Sequence, residues 1–283
     1  MQKKKIIWLS SYPKSGNTWF RAFLTEYMQP DGLTNINKLI LDAHFAERTI
    51  TNYYADVDSE YLLSVECLAM RKYALSAWAN ESTKNELFIK THDAWQLLPD
   101  KSPILPIAES KCVVYFVRNP LDIATSYASH INIGIQESVE LICNDKTKLT
   151  AQNNNNNLLS SFPQLLGNWS SHVSGWLNQQ NIPIIVIRYE DMLNNTYDCF
   201  VKAINFMQIS KSEKKIVDSI EKTSFSTLRK MEEIKGFKQI NRKDEYFFRN
   251  GKAGNWKYEL TEDQIMLIWN KHHEMMTHFG YTI

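Results

Sequence analysis

The amino-acid sequence predicts an α/β fold in which helices flank a doubly wound, mainly parallel sheet. Short apolar runs rich in β-branched residues recur along the chain, and each is followed by a polar or glycine-containing loop and then by a helical pattern. The chain has 283 residues, of which 43% are hydrophobic, so it can bury a substantial core. We expect a single domain over residues 1–283.

The predicted strands are the four apolar runs, whose lengths suit strands. They lie at residues 6–9, 87–89, 113–117 and 184–187. Helices are predicted where apolar residues recur with helical spacing. They lie at residues 18–28, 60–78, 121–131, 164–179, 197–207, 212–223 and 261–279. The asparagine-rich run at residues 152–157 predicts an exposed loop.

Charge and cysteine content narrow the range of functions. The chain has 32 Lys and Arg and 31 Asp and Glu, and its net charge is therefore +1. This charge favours neither a nucleic acid nor an anionic membrane as partner. The four cysteines are far apart and form no CxxC pair, which favours a reduced cytoplasmic protein over a disulfide framework or a zinc site. The apolar run after the basic N-terminus ends at Ser10, too early for a signal peptide, and the run at 182–187 is too short to cross a bilayer.

The first predicted strand leads into the sequence SSYPKSGNTW at residues 10–19. In open α/β sheets, ligands bind beyond the carboxyl ends of the strands. Backbone N–H groups around Gly16, the start of a helix and the charge of Lys14 together suit an anion. The lysine precedes the glycine, so this is not the nucleotide-binding pattern GxxxxGK[ST]. The loop predicts a phosphate site of another type, and a plain strand-to-helix turn is the alternative.

A second strand exit carries the sequence VVYFVRNPLDIATSYASH at residues 113–130. Pro120 suits the first turn of a helix, which places Asp122 near the helix N-terminus. The Arg118 guanidinium at the end of the strand can hold a phosphate through two parallel hydrogen bonds, and the Ser126 hydroxyl can add a third. Two such exits in one sheet favour a shared anion site over two structural turns.

The third segment is the basic sequence FFRNGKAGNWK at residues 247–257. Its two glycines let the backbone approach a ligand closely, and three of its residues are cationic. The pattern predicts a loop that closes over an anion, with a solvated surface loop as the alternative.

Together the three segments resemble the cytosolic-type sulfotransferases that use 3'-phosphoadenosine 5'-phosphosulfate (PAPS). YPKSGNTW is similar to that family's 5'-phosphosulfate loop, VRNPLDIATSYASH to its 3'-phosphate segment and RNGKAGNWK to its C-terminal nucleotide-closing loop. Further matches in family order are FIKTH, GNWSSHVSGWL, IRYEDM and KTSF, which begin at residues 88, 167, 187 and 222. The resemblance spans residues 6–257 and implies a P-loop-like sulfotransferase fold.

The resemblance implies that PAPS is the co-substrate, that a hydroxyl or amine of a small-molecule acceptor receives the sulfuryl group, and that adenosine 3',5'-bisphosphate (PAP) is left. The implied contacts on the 5' side are Lys14, Ser15, Gly16, Asn17 and Thr18. Those at the 3'-phosphate are Arg118, Ser126, Arg249, Asn250 and Gly251. Trp19 and Phe225 are implied to sandwich the adenine, with Tyr189 and Thr223 at its edge. Asn250 stands where the family usually has a lysine, and Lys252 is a candidate substitute.

The implied chemistry is in-line displacement at sulfur without a metal. His92 matches the family's catalytic base, and an imidazole with a pKa near about 6.5 can accept a proton at neutral pH. Lys14 is implied to neutralise the leaving oxygen, and Lys90 the sulfuryl oxygens. The other histidines, including His44 and His172, carry no such positional argument.

The acceptor is expected to bind among the segments at residues 41–60, 134–161 and 235–247. The asparagine-rich run favours a microbial enzyme that tailors a natural product. The oligomeric state stays open between monomer and homodimer, because KYELTEDQ, which begins at Lys257, only partly resembles the family's dimerisation segment.

Three alternatives compete with this interpretation. A nucleotide or small-molecule kinase needs a lysine after the glycine and a magnesium carboxylate, which the motifs lack. A catalytically silent nucleotide-binding protein is disfavoured because both Lys14 and His92 are present. A carbohydrate sulfotransferase of the heparan type is expected to carry a secretion signal and a membrane anchor, neither of which the sequence indicates.

Overall fold

The computed structural model describes residues 4–149, 161–238 and 246–283. The asparagine-rich run predicted as a loop lies outside these residues. The strands of the described chain are β1 (Ile6–Ser11), β2 (Ala43–His44), β3 (Leu87–Thr91), β4 (Ser110–Val117), β5 (Lys148–Leu149), β6 (Gln164–Leu165) and β7 (Ile184–Arg188).

The helices of the described residues lie between these strands and after the last of them. They are α1 (Asn17–Met28), α2 (Arg48–Ala55), α3 (Ser64–Glu81), α4 (Pro120–Ile131), α5 (Ile135–Cys143), α6 (Trp169–Asn178), α7 (Tyr189–Asn194), α8 (Thr196–Phe206), α9 (Glu213–Lys222), α10 (Phe225–Lys235), α11 (Trp256–Glu259) and α12 (Glu262–His278). None of the helices described is both long and apolar enough to span a membrane.

The chain forms two compact units. The first consists of Met1–Tyr12, Leu41–Tyr115 and Asn144–Ile185, and the second of Pro13–Ile40, Phe116–Cys143 and Val186–Ile283. A single domain over residues 1–283 stays a prediction.

Within the described ranges, the main sheet has five strands in the order β2-β3-β1-β4-β7. Strand β3 pairs in parallel with both β1 and β2, which confirms the predicted mainly parallel sheet flanked by helices. The apolar residues of β1, from Ile6 to Leu9, are fully buried, as expected where helices cover both faces of a sheet. From β1 the chain runs first to β2 and β3 on one side and then to β4 and β7 on the other. The loop after β1 therefore starts at a topological switch point, where ligands of such sheets bind.

Local capping explains where α4 begins. The Asn119 side chain accepts a hydrogen bond from the N–H of Leu121 at 3.0 Å, and Pro120 occupies the first turn. The helix ends at Asn132, which has a φ of 61°. The predicted helix at 121–131 is confirmed to within one residue.

The helix predicted at residues 164–179 is wrong in its first turn. Gln164 and Leu165 form strand β6, which pairs with β5 in an antiparallel ladder. The Asn168 side chain accepts a hydrogen bond from the N–H of Ser171 at 2.8 Å, so α6 begins at Trp169.

The helix predicted at 60–78 is displaced toward the C-terminus. Ser59–Tyr61 forms a separate 3-10 turn, and α3 follows as Ser64–Glu81. The other predicted helices agree with α1, α8, α9 and α12 to within one residue at each end. The sequence prediction missed the helices α2, α5, α7, α10 and α11.

An aromatic and aliphatic core supports α1 in the second unit. The Phe23 ring packs on Phe200 with a centroid separation of 4.3 Å, and Phe20 lies 5.1 Å from Phe116. A neighbouring buried cluster consists of Ala22, Leu33, Ile36, Leu228, Phe237 and Phe248. Trp19, Phe225 and Phe247 pack against this cluster and are only partly buried. This cluster therefore supports three aromatic rings, which remain partly accessible at its edge.

Candidate active site

The loop before α1 has an unusual backbone. Lys14 has a φ of 68°, although it is not glycine, and Gly16 has a φ of 97°. Gly16 is the N-cap of α1, and it has no side chain with which to cap the first N–H groups of the helix. Positive-φ residues on either side of Ser15, just before a helix N-terminus, turn backbone N–H groups toward one side, which suits an anion.

Arg118 holds this loop in place. Its Nη1 donates to the Lys14 carbonyl oxygen at 3.1 Å, and its Nη2 donates to the Lys252 carbonyl oxygen at 3.3 Å. The end of β4 is therefore linked both to the lysine-containing loop and to the basic segment at 247–257. Three segments that the sequence predicted as parts of one anion site come together in the second unit.

Tyr189 lies at the centre of the same group. A Cβ built on Gly16 would lie 2.8 Å from Tyr189 Cδ2, so only glycine allows this approach. The Arg118 guanidinium lies 4.4 Å from the centroid of the Tyr189 ring, and the Trp19 ring meets the tyrosine ring edge-on at 6.3 Å.

The predicted adenine residues also lie together. Trp19 Nε1 donates to the Thr223 carbonyl oxygen at 3.0 Å. A Cβ built on Gly251 would lie 2.2 Å from Phe225 Cδ2, so the Phe225 ring lies directly against the glycine backbone.

Two buried polar atoms in this group test whether it fits an anionic ligand. Ser15 Oγ and Arg118 Nε are both buried and have no hydrogen-bond partner among residues 4–149, 161–238 and 246–283. A buried donor without a partner costs free energy, on the order of 1–3 kcal/mol, unless a ligand supplies an acceptor. The residues present therefore fit phosphate groups.

The remaining predicted nucleotide residues occupy varied positions. Asn17 and Thr18 are buried in the first turn of α1, and Ser126 is half-buried in the second turn of α4. Asn250 is exposed. Arg249 Nη2 donates to both carboxylate oxygens of Glu259, at 2.9 and 3.0 Å, and this ion pair is solvent-exposed.

The Lys14 ammonium lies over an aromatic ring. Its Nζ is 3.7 Å from the centroid of Phe247, the first residue of the basic segment. The cation is thus held on an apolar support beside the positive-φ loop.

Both ends of the basic segment are fixed. The Glu232 carboxylate accepts from the N–H groups of Phe247 at 2.6 Å and Phe248 at 3.0 Å. At the other end, the Asp122 carboxylate accepts from the N–H groups of Gly254 at 2.8 Å and Trp256 at 3.3 Å. The segment is therefore anchored by α10 and by the first turn of α4.

His92 lies in the first unit, directly after β3. Its Nδ1 lies 2.7 Å from the Ser11 carbonyl oxygen, and its backbone N–H donates to Gln164 Oε1 at 2.9 Å. The carbonyl can only accept, so in the neutral ring the proton is assigned to Nδ1, which leaves Nε2 as the basic atom. Nε2 has no hydrogen-bond partner within the part of the chain that the structure describes.

Burial controls the charge of His92. The side chain is only 7% exposed, and burial, followed by the charge of Lys90, holds the pKa of His92 well below its ordinary value. The ring is therefore neutral at neutral pH and able to accept a proton.

Lys90 and His44 face each other across neighbouring strands. The two residues are paired in the register of β2 and β3, and the His44 ring lies 6.4 Å from the His92 ring. Asp93, which follows His92, forms a buried ion pair with Arg71 at 2.7 Å that fixes the chain after β3.

Sequence reasoning assigned no contacts to several residues that hold the site together. Glu190 Oε1 accepts from the N–H of Asn119 at 3.1 Å, beside Arg118. Glu232 and Gln164 likewise fix backbone groups next to predicted site residues. Among these supporting residues, only Asp122 could be recognised in the sequence, from its place near the start of a predicted helix. Its hydrogen bonds to the basic segment were not predicted.

The chain is similar to known proteins in sequence and in fold. The family described as "Sulfotransferase domain" matches residues 4–280. The luciferin sulfotransferase of Photinus pyralis is 24% identical over 284 residues, which cover 93% of this chain and 70% of the relative. The amine sulfotransferase of Oryctolagus cuniculus is 22% identical, covering 91% of this chain and 76% of the relative. The crystal structure of retinol dehydratase with androsterone and inactive cofactor PAP aligns with a TM-score of 0.63 at 17% identity, covering 98% of this chain and 82% of that one.

The family match places the chain in a class of group-transfer enzymes. The chain belongs to the sulfotransferase family, since the family match covers nearly its whole length. It is therefore a sulfotransferase and not a kinase, which confirms the predicted family, enzyme class and fold class.

Proposed function

We propose that this sulfotransferase transfers the sulfuryl group of PAPS to a hydroxyl or amine of a small-molecule acceptor, with His92 as the base. The observation that carries the proposal is the group around Arg118, in which buried donors of Ser15 and Arg118 lack protein partners among the described residues. Donors of this kind suit a nucleotide with phosphate groups at two positions. PAPS supplies the activated sulfuryl group and a phosphate leaving group.

The second unit supplies the residues for the donor. The positive-φ loop with Lys14 would hold the 5' side, and Arg118 the 3'-phosphate. Trp19 and Phe225 stand at the edge of the same apolar cluster and would enclose the adenine. Arg249 is already paired with Glu259, so the nucleotide would compete with a carboxylate for that arginine.

The first unit supplies the base. Because Nδ1 of His92 is committed to the Ser11 carbonyl, Nε2 would take the proton of the acceptor hydroxyl or amine. Lys14 would neutralise charge on the leaving oxygen, and Lys90 charge on the sulfuryl oxygens.

The lowered pKa of His92 sets the pH dependence. A histidine whose pKa is depressed in the folded protein stays unprotonated below pH 6.5, where a free imidazole would already be charged. The acid limb of kcat/KM should therefore lie below pH 6.5.

The relatives also guide the proposed acceptor and location of the enzyme. The relatives named above are a luciferin sulfotransferase and an amine sulfotransferase, and the proposal includes both hydroxyl and amine acceptors. A cytoplasmic location is supported by relatives from Arabidopsis thaliana that are named cytosolic sulfotransferases. Tailoring of a natural product stays a prediction from the sequence.

The test is incubation of the purified chain with PAPS and a panel of phenols, alcohols and amines, with product mass as the readout. We expect addition of a sulfuryl group by the wild type and its loss in His92→Ala. The same variant should still bind PAP, because His92 is not among the residues assigned to the nucleotide. Lys14→Met should lose both turnover and tight PAP binding.

Two results would contradict the proposal. One is full turnover by His92→Ala, which would remove the histidine from the chemistry. The other is a thermal stabilisation by ATP with magnesium, and none by PAP, since a ligand stabilises the state that it binds.

A further inference from the structure

Three of the four polar groups of His92 are already engaged by the protein. Its N–H donates to Gln164, and its Nδ1 lies against the Ser11 carbonyl. Its carbonyl oxygen lies 3.0 Å from Nε2 of His172. Only Nε2 of the His92 ring remains for a substrate within the described residues.

His172 lies on α6 and is completely buried. Its second ring nitrogen, Nδ1, lies 2.8 Å from the Tyr115 hydroxyl of β4. Burial lowers the pKa of His172 to about 4, so the ring is neutral at neutral pH. A neutral imidazole has one donor and one acceptor nitrogen.

The hydrogen bonds assign these roles. A carbonyl oxygen accepts only, so Nε2 of His172 must carry the proton that it donates to His92. Nδ1 is then the acceptor and receives the Tyr115 hydroxyl proton. In the opposite tautomer the Nε2 lone pair would face the His92 carbonyl oxygen, which is repulsive. Tyr115 therefore favours the tautomer that holds His92.

We propose that His172, with its tautomer set by Tyr115, is a positioning residue that holds the peptide of the catalytic base in place. This inference rests on the proposed function, because it assigns His172 a role only through His92. His172 holds the carbonyl of the peptide group that follows the His92 Cα, and Gln164 holds the N–H of the peptide group that precedes it. Rotation of either peptide plane would carry the imidazole away from its contact with Ser11.

A role in packing alone explains the contacts less well. His172 does pack edge-on against Tyr12 at 5.3 Å, which an apolar side chain could also do. Burying two polar nitrogens is costly unless both are hydrogen-bonded, and here one nitrogen bonds to Tyr115 and the other to His92. An apolar residue would pack, but it would leave the His92 carbonyl without its donor.

Three variants separate the two roles. His172→Leu removes the donor, His172→Gln keeps an amide donor near the position of Nε2, and Tyr115→Phe removes only the hydroxyl that sets the tautomer. A misplaced catalytic group can cost about 100-fold in rate. We expect a loss of that order in kcat for His172→Leu, a recovery of most of it in His172→Gln and a loss of roughly tenfold for Tyr115→Phe. The Kd for PAP should stay unchanged in all three.

The pH dependence of kcat/KM gives a second measurement, which should not change if His172 serves only in packing. The titratable groups around the His92 ring are Lys90 on β3, His44 on β2 and His172 on α6. None of the three variants removes the charge of Lys90. If the base becomes mobile, it gains contact with water, and its pKa returns toward the ordinary value. The acid limb of kcat/KM should then move to higher pH in His172→Leu and Tyr115→Phe.

His272→Leu is the matched control. His272 is also a buried histidine, at 1% exposure, but it lies on α12 in the second unit. We expect this variant to lose stability while its kcat and acid limb stay at wild-type values.

The outcomes are distinguishable. The positioning role alone would be overturned if His92→Ala is inactive while kcat and the pH profile stay unchanged in Tyr115→Phe and His172→Gln. His172→Leu, if it folds, should then also keep its kcat and pH profile. A parallel loss of kcat and PAP affinity in His172→Leu, not recovered in His172→Gln, would also overturn it, since it indicates general unfolding. An active His92→Ala would overturn both the base assignment and this inference.

Discussion

At the scale of single residues, Lys14 combines a strained backbone conformation with a proposed role in binding the donor. A left-handed conformation costs a non-glycine residue roughly 1–2 kcal/mol, so the surrounding contacts must maintain it. The hydrogen bond from Arg118 Nη1 to the Lys14 carbonyl is one such contact. Arg118 thus has two roles in the proposed site, as a phosphate ligand and as a support for the loop that carries the lysine.

Gly251 offers a prediction on the proposed adenine site. In Gly251→Ala, the new methyl group would occupy the space of the Phe225 ring, 2.2 Å from Cδ2, and the ring would have to move. We expect the Kd for PAP to rise at least about tenfold, because moving an aromatic ring off its contact costs on the order of 1.4 kcal/mol or more. Titration calorimetry with PAP measures this change.

Gly236→Ala is the matched control for that variant. The two glycines have nearly the same φ, 65° and 59°, but a Cβ on Gly236 meets nothing within 4 Å among the described residues. Gly236 has a φ of 65° and a ψ of 167°, a combination that essentially only glycine adopts. The control should therefore lose roughly 1–3 kcal/mol of stability through backbone strain and keep its PAP affinity. Equal Kd values for the two alanine variants would contradict the role given to Phe225.

The residues proposed to bind the ligand could be predicted from sequence, whereas the residues that hold them in place could not. Lys14 and Arg118 follow strands directly and stand in recognisable local patterns. Gln164 and Glu232 reach their partners across 72 and 15 residues of chain, respectively, through side-chain contacts that leave no periodic signal. Their roles depend on tertiary packing, which local sequence does not encode.

At the scale of elements, helix starts were predictable only where capping and periodicity agree. At α4, Asn119 and Pro120 mark the start, and the predicted boundary is correct to one residue. At α6, apolar spacing continues back to Gln164, but Gly167 has a φ of 63° and Asn168 caps the helix. The cap and the pairing of β6 with β5 override the periodicity.

The first turn of α4 controls the basic segment through Asp122, which gives a second prediction. In Asp122→Asn the side chain keeps one acceptor oxygen, so it can no longer serve both Gly254 and Trp256. We expect the Kd for PAP to rise roughly tenfold, since one charge-assisted hydrogen bond is lost. Trypsin should also cut faster at Lys252 and Lys257, because the segment opens more often.

Asp198→Asn provides the comparison for this variant. Asp198 also lies in the first turn of a helix, α8, but its side chain is exposed. It should leave both the Kd and the cleavage rate unchanged. Unchanged PAP binding in Asp122→Asn, with faster cleavage, would show that the anchor stabilises the segment without serving the nucleotide.

At the scale of the whole molecule, the strand order is the feature that sequence could not supply. The four long strands were predicted from their apolar runs, and β1 lies between β3 and β4 because distant segments pair. This order places the loop after β1 at the switch point of the sheet. The sequence predicted which loops would form a ligand site, and the pairing of strands explains why the loop after β1 lies where such sites occur.

The C-terminal end of the chain also contributes to the second unit. The Tyr281 hydroxyl donates to Glu190 Oε2 at 2.8 Å, while Glu190 Oε1 accepts from the N–H of Asn119, the residue after Arg118. Tyr281 is buried, and the Arg188 guanidinium lies 5.0 Å from its ring. The Glu190 carboxylate thus connects Tyr281 to the backbone next to Arg118, the residue proposed to bind the 3'-phosphate.

Tyr281→Phe should therefore weaken nucleotide binding from a distance. The ring would still pack, but Glu190 would lose one of its two donors and hold Asn119 less firmly, and a net hydrogen bond is worth about 0.5–1.5 kcal/mol. We expect the Kd for PAP to rise roughly twofold to tenfold in a calorimetric titration. Tyr258→Phe is the control, because this tyrosine of the same unit is 91% exposed and should leave the Kd unchanged. A wild-type Kd in Tyr281→Phe would mean that the C-terminal contact stabilises the fold without reaching Arg118.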